Sequence, residues 1–221
     1  MARTHCQCEG IERCFDPQRV TNELARYRKR GMAKGTRLLV AALRAQGVEG
    51  LTLLDIGGGV GAIIHALLQA GVRQATDVDA SAAYLAAARE EAQRQGLADR
   101  ISFQHGDFVA LAPTLPAADV VTLDRVICCY DDMPALVRLS ASRAERLYGV
   151  VYPRDTWWVR LFIRVENVVM RTRRAPMRFF VHPTRAVDAM IRAQGFERRF
   201  YKTAGPWQVV VYARTNRTQT H

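Results

Sequence analysis

Two rhythms of apolar positions run along this 221-residue chain. Between 51 and 152, short apolar runs bounded by glycine or acid alternate with longer stretches in which apolar residues recur every three or four positions. The first pattern reads as buried strands and the second as one-faced helices. Strands are expected at 51–56, at 73–78 ending on Asp79, and at 100–104, 119–123 and 147–152. Helices are expected at about 60–70, 81–95 and 132–146. Strand, helix, strand in succession implies parallel neighbours joined by helical crossovers.

The flanks follow other patterns. Asp16-Pro17 reads as a capped helix start with proline at the first helical position, and Gly31 closes that helix at 17–30. A second helix at 36–46 ends at Gly47. After the core, 155–170 carries Trp157, Trp158, Leu161, Phe162, Val165, Val168 and Val169 among Arg160, Arg164 and Arg171. That is an amphipathic helix. It either covers the sheet edge and roofs a site or lies on an anionic membrane surface. A helix at 183–194 follows, and alternating segments at 196–201 and 207–213, joined by Gly205-Pro206, read as an antiparallel hairpin. The expected fold is α/β: a Rossmann-like, doubly wound, mostly parallel seven-stranded sheet with an antiparallel C-terminal hairpin, plus N-terminal helices. Residues 1–50 are expected to cover the ligand face, and 51–221 to form the main domain with a helical cover at about 155–181.

Composition narrows the partners. No uncharged apolar run reaches the roughly 18 residues of a membrane span. The polar N-terminus has no signal-peptide core, so a cytoplasmic location is expected. The net charge of +11 is uneven. Residues 1–50 hold 10 basic and 5 acidic groups, 51–154 hold 9 and 12, and 155–221 hold 13 and 4. A basic flank suits an acidic substrate, an anionic membrane or nucleic acid, or is simply a solvated surface. Five cysteines (6, 8, 14, 128, 129) are an odd number for a disulfide framework. His5, Cys6, Cys8 and Cys14 do not follow a common zinc spacing, so no metal is expected.

The chemistry gathers at Asp55-Ile56-Gly57-Gly58-Gly59-Val60-Gly61, where a strand enters a helix through a glycine-dense turn. Such a loop lets a ligand lie on bare backbone at a helix start. Gly57-x-Gly59-x-x-Ala62, with Asp79 downstream, satisfies the dinucleotide fingerprint. Asp55-x-Gly57-x-Gly59-x-Gly61 instead resembles motif I of the class I S-adenosylmethionine-dependent methyltransferases. Thr76-Asp77-Val78-Asp79-Ala80-Ser81, His105-Gly106-Asp107-Phe108 and Asp119-Val120-Val121-Thr122-Leu123-Asp124 resemble that family's later strand ends.

The resemblance implies S-adenosylmethionine as donor and S-adenosylhomocysteine as product. It assigns Asp79 and Ala80 to the ribose, Gly106, Asp107 and Phe108 to the adenine, and Leu123 and Asp124 to the floor beneath the methionine. Asp55, Gly57, Gly58, Gly59 and Gly61 form the loop, with Asp55 toward the methionine end. Apart from the resemblance, Tyr27 of the first helix either reaches over the cofactor or is a packed aromatic. Asp79 and Asp107 can also be read as a helix cap and an Asx-turn.

More distantly, the chain resembles the magnesium-protoporphyrin O-methyltransferases, through the basic aromatic stretch after Tyr152-Pro153, Phe180-Val181-His182 and the closing hairpin. That family reads Ile-His-Tyr-Pro after strand four; this chain has Cys128-Cys129-Tyr130-Asp131, so Cys129 stands at the histidine's place.

The expected acceptor is a small anionic organic molecule, with O-methylation favoured. Candidate catalytic residues are Arg125, Cys129, Tyr130, Arg154 and His182. Alternatives are a thiol or metalloid acceptor at the cysteines, a nucleic acid, or a non-catalytic cofactor-binding role. Nucleic acid is disfavoured because no base-flipping motif follows strand four.

Overall fold

The computed structural model describes residues 16–172 and 177–215. His5, Cys6, Cys8 and Cys14 lie outside the described residues. Seven strands form one sheet: β1 (Thr52–Ile56), β2 (Gln74–Asp79), β3 (Ile101–His105), β4 (Ala118–Asp124), β5 (Ala144–Pro153), β6 (Phe196–Ala204) and β7 (Trp207–Arg214). Their order is β3-β2-β1-β4-β5-β7-β6. The first five strands pair in parallel, and β7 joins β5 and β6 antiparallel. This is the expected Rossmann-like sheet with its closing hairpin.

The helices are α1 (Pro17–Arg30), α2 (Lys34–Arg44), α3 (Ala62–Gln69), α4 (Ala82–Arg94), the single turn α5 (Phe108–Leu111), α6 (Met133–Arg143), α7 (Trp157–Thr172) and α8 (Thr184–Arg192). Local chemistry fixes their starts. Asp16 accepts from the Arg19 N–H at 2.8 Å, and Ser81 and Asp132 cap α4 and α6 in the same way. Side-chain acceptors at these positions satisfy amides that have no partner within the helix.

Strand alternation distributes the core between two faces. Along β4, Val120 joins the apolar layer beneath α2 and α3, and Val121 joins the layer beneath α6 and α8. Helix α4 covers β2 and β3.

Two boundaries differ from the expected ones. Helix α6 stops at Arg143, because Ala144 pairs with Ala118 and already belongs to β5. Ladder bonding to β4 outweighs the local helical pattern there. The second N-terminal helix, expected across the ligand face, is mostly core: Leu39 and Leu43 are fully buried. A Cβ at Gly149 would lie 2.8 Å from Leu39 Cδ1, so glycine on β5 is what lets α2 approach so closely. Only the entry to α2 reaches the ligand side, through Met32, Ala33 and Thr36.

Candidate active site

One cavity of about 910 Å³ opens at the carboxyl ends of β1, β2 and β4. Its floor is the loop after β1. Gly57, Gly59 and Gly61 adopt φ of 68°, 58° and 76°, a region that side chains disfavour. The loop is also pressed onto its surroundings. A Cβ would come within 2.5 Å of Val126 Cγ2 at Gly57, 2.4 Å of Asp77 Oδ1 at Gly58, and 2.7 Å of His65 Cε1 at Gly61. Bare backbone here is therefore required from below as well as from the cavity side. Gly57 to Gly59 line the cavity, whereas Gly61 turns over His65 and does not.

Three acids surround this loop. Asp79 accepts from Gly59 N–H at 3.1 Å and Ser81 N–H at 2.8 Å, and it lines the cavity. The cap of α4 is Ser81, so Asp79 ties the glycine loop to the end of β2. Asp55 is 1% exposed; Thr122 donates to its Oδ1 at 2.6 Å, and its Oδ2 has no hydrogen-bond partner. Asp77 stands opposite Asp55 in register on the neighbouring strand and is fully buried. Asp77 Oδ1 and Asp55 Oδ2 both lie within 3.2 Å of the point a Cβ at Gly58 would occupy. Two carboxyls packed together out of water cannot both ionise cheaply. Burial, partly offset by the Thr122 bond and reinforced by Asp124 and Asp79, pushes Asp55 up to about 7. Burial and the neighbouring Asp55 push Asp77 well above the carboxylate range.

Asp107 and Phe108 form the next wall, with Gly106 at φ 144° beside them. Asp107 does cap α5, accepting from Val109 N–H at 3.2 Å, and Tyr130 O–H lies 3.0 Å from both carboxylate oxygens. Ala80 and Asp124 also line the cavity. Asp124 Oδ2 accepts from Thr36 Oγ1 at 2.5 Å. Leu123 faces the other way: it is fully buried in the core beneath α6 and lies outside the cavity wall. Alternation along β4 explains this, since Asp124 and Leu123 point to opposite faces.

Helix α1 forms one side wall through Arg19, Glu23, Arg26, Tyr27 and Arg30. Burial raises the Tyr27 phenol, whose ring centroid lies 6.4 Å from that of His65. Three contacts fasten α1 to α4. Tyr84 O–H donates to Glu23 at 2.6 Å, and Arg28 donates to Glu91 at 2.7 Å and to Glu90 at 2.8 Å. Arg94, together with Gln95 and Arg28, holds the buried Glu91 carboxyl down to about 2. The opposite wall is largely apolar, with Phe162, Ile163, Val169 and Met170 of α7, Phe179 and Trp207, and it carries one carboxyl, Glu166.

The candidate catalytic residues separate into two groups. Arg125, Cys129 and Tyr130 line the cavity; Arg154 and His182 do not. Arg125 has φ 63°, and its guanidinium reaches Asp124 at 3.2 Å. His182 Nε2 sits 3.0 Å from the Tyr130 carbonyl, its ring stacks on Phe180 at 5.7 Å, and burial lowers its pKa. Arg154 is held through its N–H on the Pro206 carbonyl, by the hairpin turn. The sequence alone does not single out Asp77 or Thr36, whereas α7 roofs the cavity as its pattern predicts. Asp77 was hidden by its polar-alternating strand, and Thr36 by lying 88 residues from its partner.

Among the described residues, no group of three or more His, Cys, Asp or Glu side chains is placed to hold a metal. None of their helices is long and apolar enough to cross a membrane.

Residues 53–144 match the family model described as a methyltransferase domain. No curated protein sequence matches the chain. Among solved structures, the chain is similar to the magnesium protoporphyrin IX methyltransferase of Synechocystis PCC 6803 with bound S-adenosylhomocysteine. Identity is 19%, covering 93% of this chain and 98% of that one, at a TM-score of 0.69. An O-methyltransferase family protein from Burkholderia thailandensis is 16% identical over 91% of this chain and 61% of its own, at 0.69. A (4+2) cyclase is 15% identical over 92% and 94%, at 0.66. Likeness at these identities speaks to fold, and the matched domain speaks to activity. Residues 53–144 thus match a methyltransferase domain, in a chain whose described fold is similar to that of a methyltransferase with bound S-adenosylhomocysteine.

Proposed function

We propose that the chain transfers a methyl group from S-adenosylmethionine to a small anionic organic molecule, with oxygen as the favoured acceptor atom. The observation that carries this reading is the single cavity running from the glycine loop and Asp79 to Cys129 and the apolar face of α7. Its volume of about 910 Å³ is large for one ligand, at the upper end of small-molecule sites, and leaves room for an acceptor beside the donor.

In this reading Asp107 and Phe108 hold the adenine, and Asp79 with Ala80 holds the ribose. Gly57 to Gly59 and Asp55 hold the methionine end, over Asp124. The orphaned Oδ2 of Asp55 is the partner an ammonium group needs, and the glycine cradle admits a ligand against the backbone. Gly61 supports the loop from behind, and Leu123 supports the floor without touching the ligand. The bound donor supplies an electrophilic methyl on a sulfonium, chemistry that requires no metal.

The chain's own residues then position the acceptor and exclude water. Arg19, Arg26, Arg30 and Arg125 outnumber Glu23 on one side, and α7 offers a largely apolar face carrying Glu166 on the other. An acceptor with an apolar body and an acidic group fits both. An acceptor that arrives as carboxylate or phenolate needs no strong base. That suits a site whose candidate bases are engaged, Tyr130 with Asp107 and His182 with the Tyr130 carbonyl. We assign Tyr130 to positioning Asp107, and His182 and Arg154 to supporting the wall. Peripheral contact of the outer face of α7 with an anionic membrane belongs to the same reading, because that face is exposed at the cavity mouth.

The test is a metabolite screen with isotopically labelled methyl donor. Label should appear in a small organic acid or its ester. Label in polynucleotide instead, or in nothing while donor binds, would replace this reading with the nucleic-acid or the non-catalytic one.

A further inference from the structure

The turn after β4 brings two thiols together on the cavity wall. Arg125, with its positive φ, swings the chain sharply, and the 3-10 turn Ile127–Cys129 follows. Neighbouring side chains in a strand point to opposite faces; these two do not. Cys128 Sγ and Cys129 Sγ reach the same acceptor, the Arg125 carbonyl, at 3.2 and 3.5 Å. The sulfurs are 3.8 Å apart, and both residues line the cavity.

That spacing selects a class of ligand. A disulfide needs about 2.05 Å between sulfurs, so this pair sits open. Two thiolates held at about 2.3 Å by one pyramidal trivalent atom, at an angle of about 95°, lie about 3.4 Å apart, so this pair needs to close by only about 0.4 Å to share such an atom. Among the described residues no third His, Cys, Asp or Glu completes a metal site here. An ion that demands three or four protein ligands is therefore poorly served. A trivalent metalloid that already carries one organic substituent needs two thiols and no more. Soft thiolate ligands favour such atoms.

We propose that Cys128 and Cys129 form a dithiol site that captures a mono-organic trivalent arsenical, or a metalloid of the same chemistry, inside the cavity. Capture is a condensation. An organoarsenic(III) oxide loses its oxygen as two arsenic–sulfur bonds form, and the two thiol protons leave with that oxygen as water. Arsenic stays trivalent and nothing is oxidised or reduced. Hydrogen bonding to Cys129 and burial raise the Cys128 thiol, which keeps it protonated and resistant to adventitious oxidation until a bidentate partner arrives. The capture does not depend on the methyl-donor reading; only the position of the trapped group, on the acceptor side of the donor, rests on that reading.

The probe is phenylarsine oxide, followed by intact mass and by titration calorimetry. It is added to the full chain carrying Cys6→Ser, Cys8→Ser and Cys14→Ser, so that only the vicinal pair remains. One phenylarsenic group should bind, survive millimolar monothiol and be released by an equimolar dithiol. Cys128→Ser and Cys129→Ser, each in that background, should weaken capture at least a hundredfold. Melting curves with and without S-adenosylhomocysteine report folding separately, and Cys129→Ser at the half-exposed position guards against misfolding of the buried variant. Absence of an adduct on the triple variant, or single serine variants that bind as tightly as it does, would overturn the proposal. An adduct without any S-adenosylhomocysteine stabilisation would leave the dithiol site standing and remove the donor reading.

Discussion

Asp55 and Asp77 make the cavity floor sensitive to pH. In the free protein Asp55 titrates near 7, raised by burial from a usual value of 3.8. In the proposed complex the donor's ammonium group faces this carboxyl and favours its ionised form. Binding below pH 7 must then expel a proton, so affinity for S-adenosylhomocysteine should rise from pH 5.5 to about 7.5 and then level off. Calorimetry in buffers of different ionisation heat should show that proton release at pH 6 and little at pH 8. Asp77→Asn, which replaces a carboxyl that is already protonated there, should leave the midpoint in place. Affinity that is flat across this range would exclude Asp55 as the ammonium partner. Tyr130→Phe separates positioning from base catalysis. Loss of its one bifurcated bond to Asp107 should weaken donor affinity about tenfold, the low end of the about 1.5–3 kcal/mol range for a bond to a charged group, and leave the pH profile of kcat unchanged. A hundredfold fall in kcat with donor affinity intact would make the phenol a base instead.

At this scale the sequence was legible where a residue broke a local pattern. Asp55 ends an apolar run, and Arg125 and the cysteines follow a strand with no turn signal of their own. Asp77 stayed hidden, because an acid in an alternating strand looks solvent-facing until its neighbour in register is known. Tyr130, Arg154 and His182 show suitable chemistry in the sequence, but their hydrogen bonds depend on segments distant in sequence.

Among the elements, α1 and α7 shape the cavity and fail in different ways. Helix α1 is latched to α4 by Arg28 on Glu91, a carboxyl with no exposed surface. Held down to about 2 from a usual 4.5, Glu91 adds stability that is fully present above pH 4.5 and is lost as pH falls toward 2. Arg28→Ala should cost about 1.5–3 kcal/mol, the range for a charged hydrogen bond, and should flatten part of that acid limb in urea melts. An unchanged acid limb would show that Arg94 and Gln95 satisfy Glu91 by themselves.

Helix α7 turns Trp157, Leu161, Val165 and Val168 outward at 78%, 52%, 54% and 61% exposure, with Arg160, Arg164 and Arg171 beside them. Such a face should bind vesicles rich in anionic lipid and ignore neutral ones. Leu161→Glu with Val165→Glu should abolish cosedimentation. Failure to bind anionic vesicles at low salt would mean the exposed face serves another purpose. The hydrophobic spacing revealed α7, and the caps revealed α1, because both signals are local. The end of α6 was not legible, since it is set by β5 pairing with β4.

For the molecule as a whole, strand and helix alternation was enough to foresee a parallel sheet and its closing hairpin, because every buried strand must find neighbours of the same kind. The sheet order, the cavity and the division of charge are consistent with one another. The acidic stretch 51–154 carries most of the cavity-facing carboxyls together with Arg125, and the basic N-terminal flank supplies Arg19, Arg26 and Arg30. The acceptor was less legible, because its wall is assembled from α1, the turn after β4, α7 and Trp207, which meet only in three dimensions.

The central claim is that Asp55, Asp79 and Asp107 read one adenosyl-methionine skeleton. Calorimetric titration of the wild-type chain and of Asp79→Ala with S-adenosylhomocysteine and with NAD at pH 7.5 tests it directly. The expected result is one S-adenosylhomocysteine per chain, at least tenfold weaker binding by Asp79→Ala, and no heat with NAD. Binding of NAD in place of S-adenosylhomocysteine would contradict it.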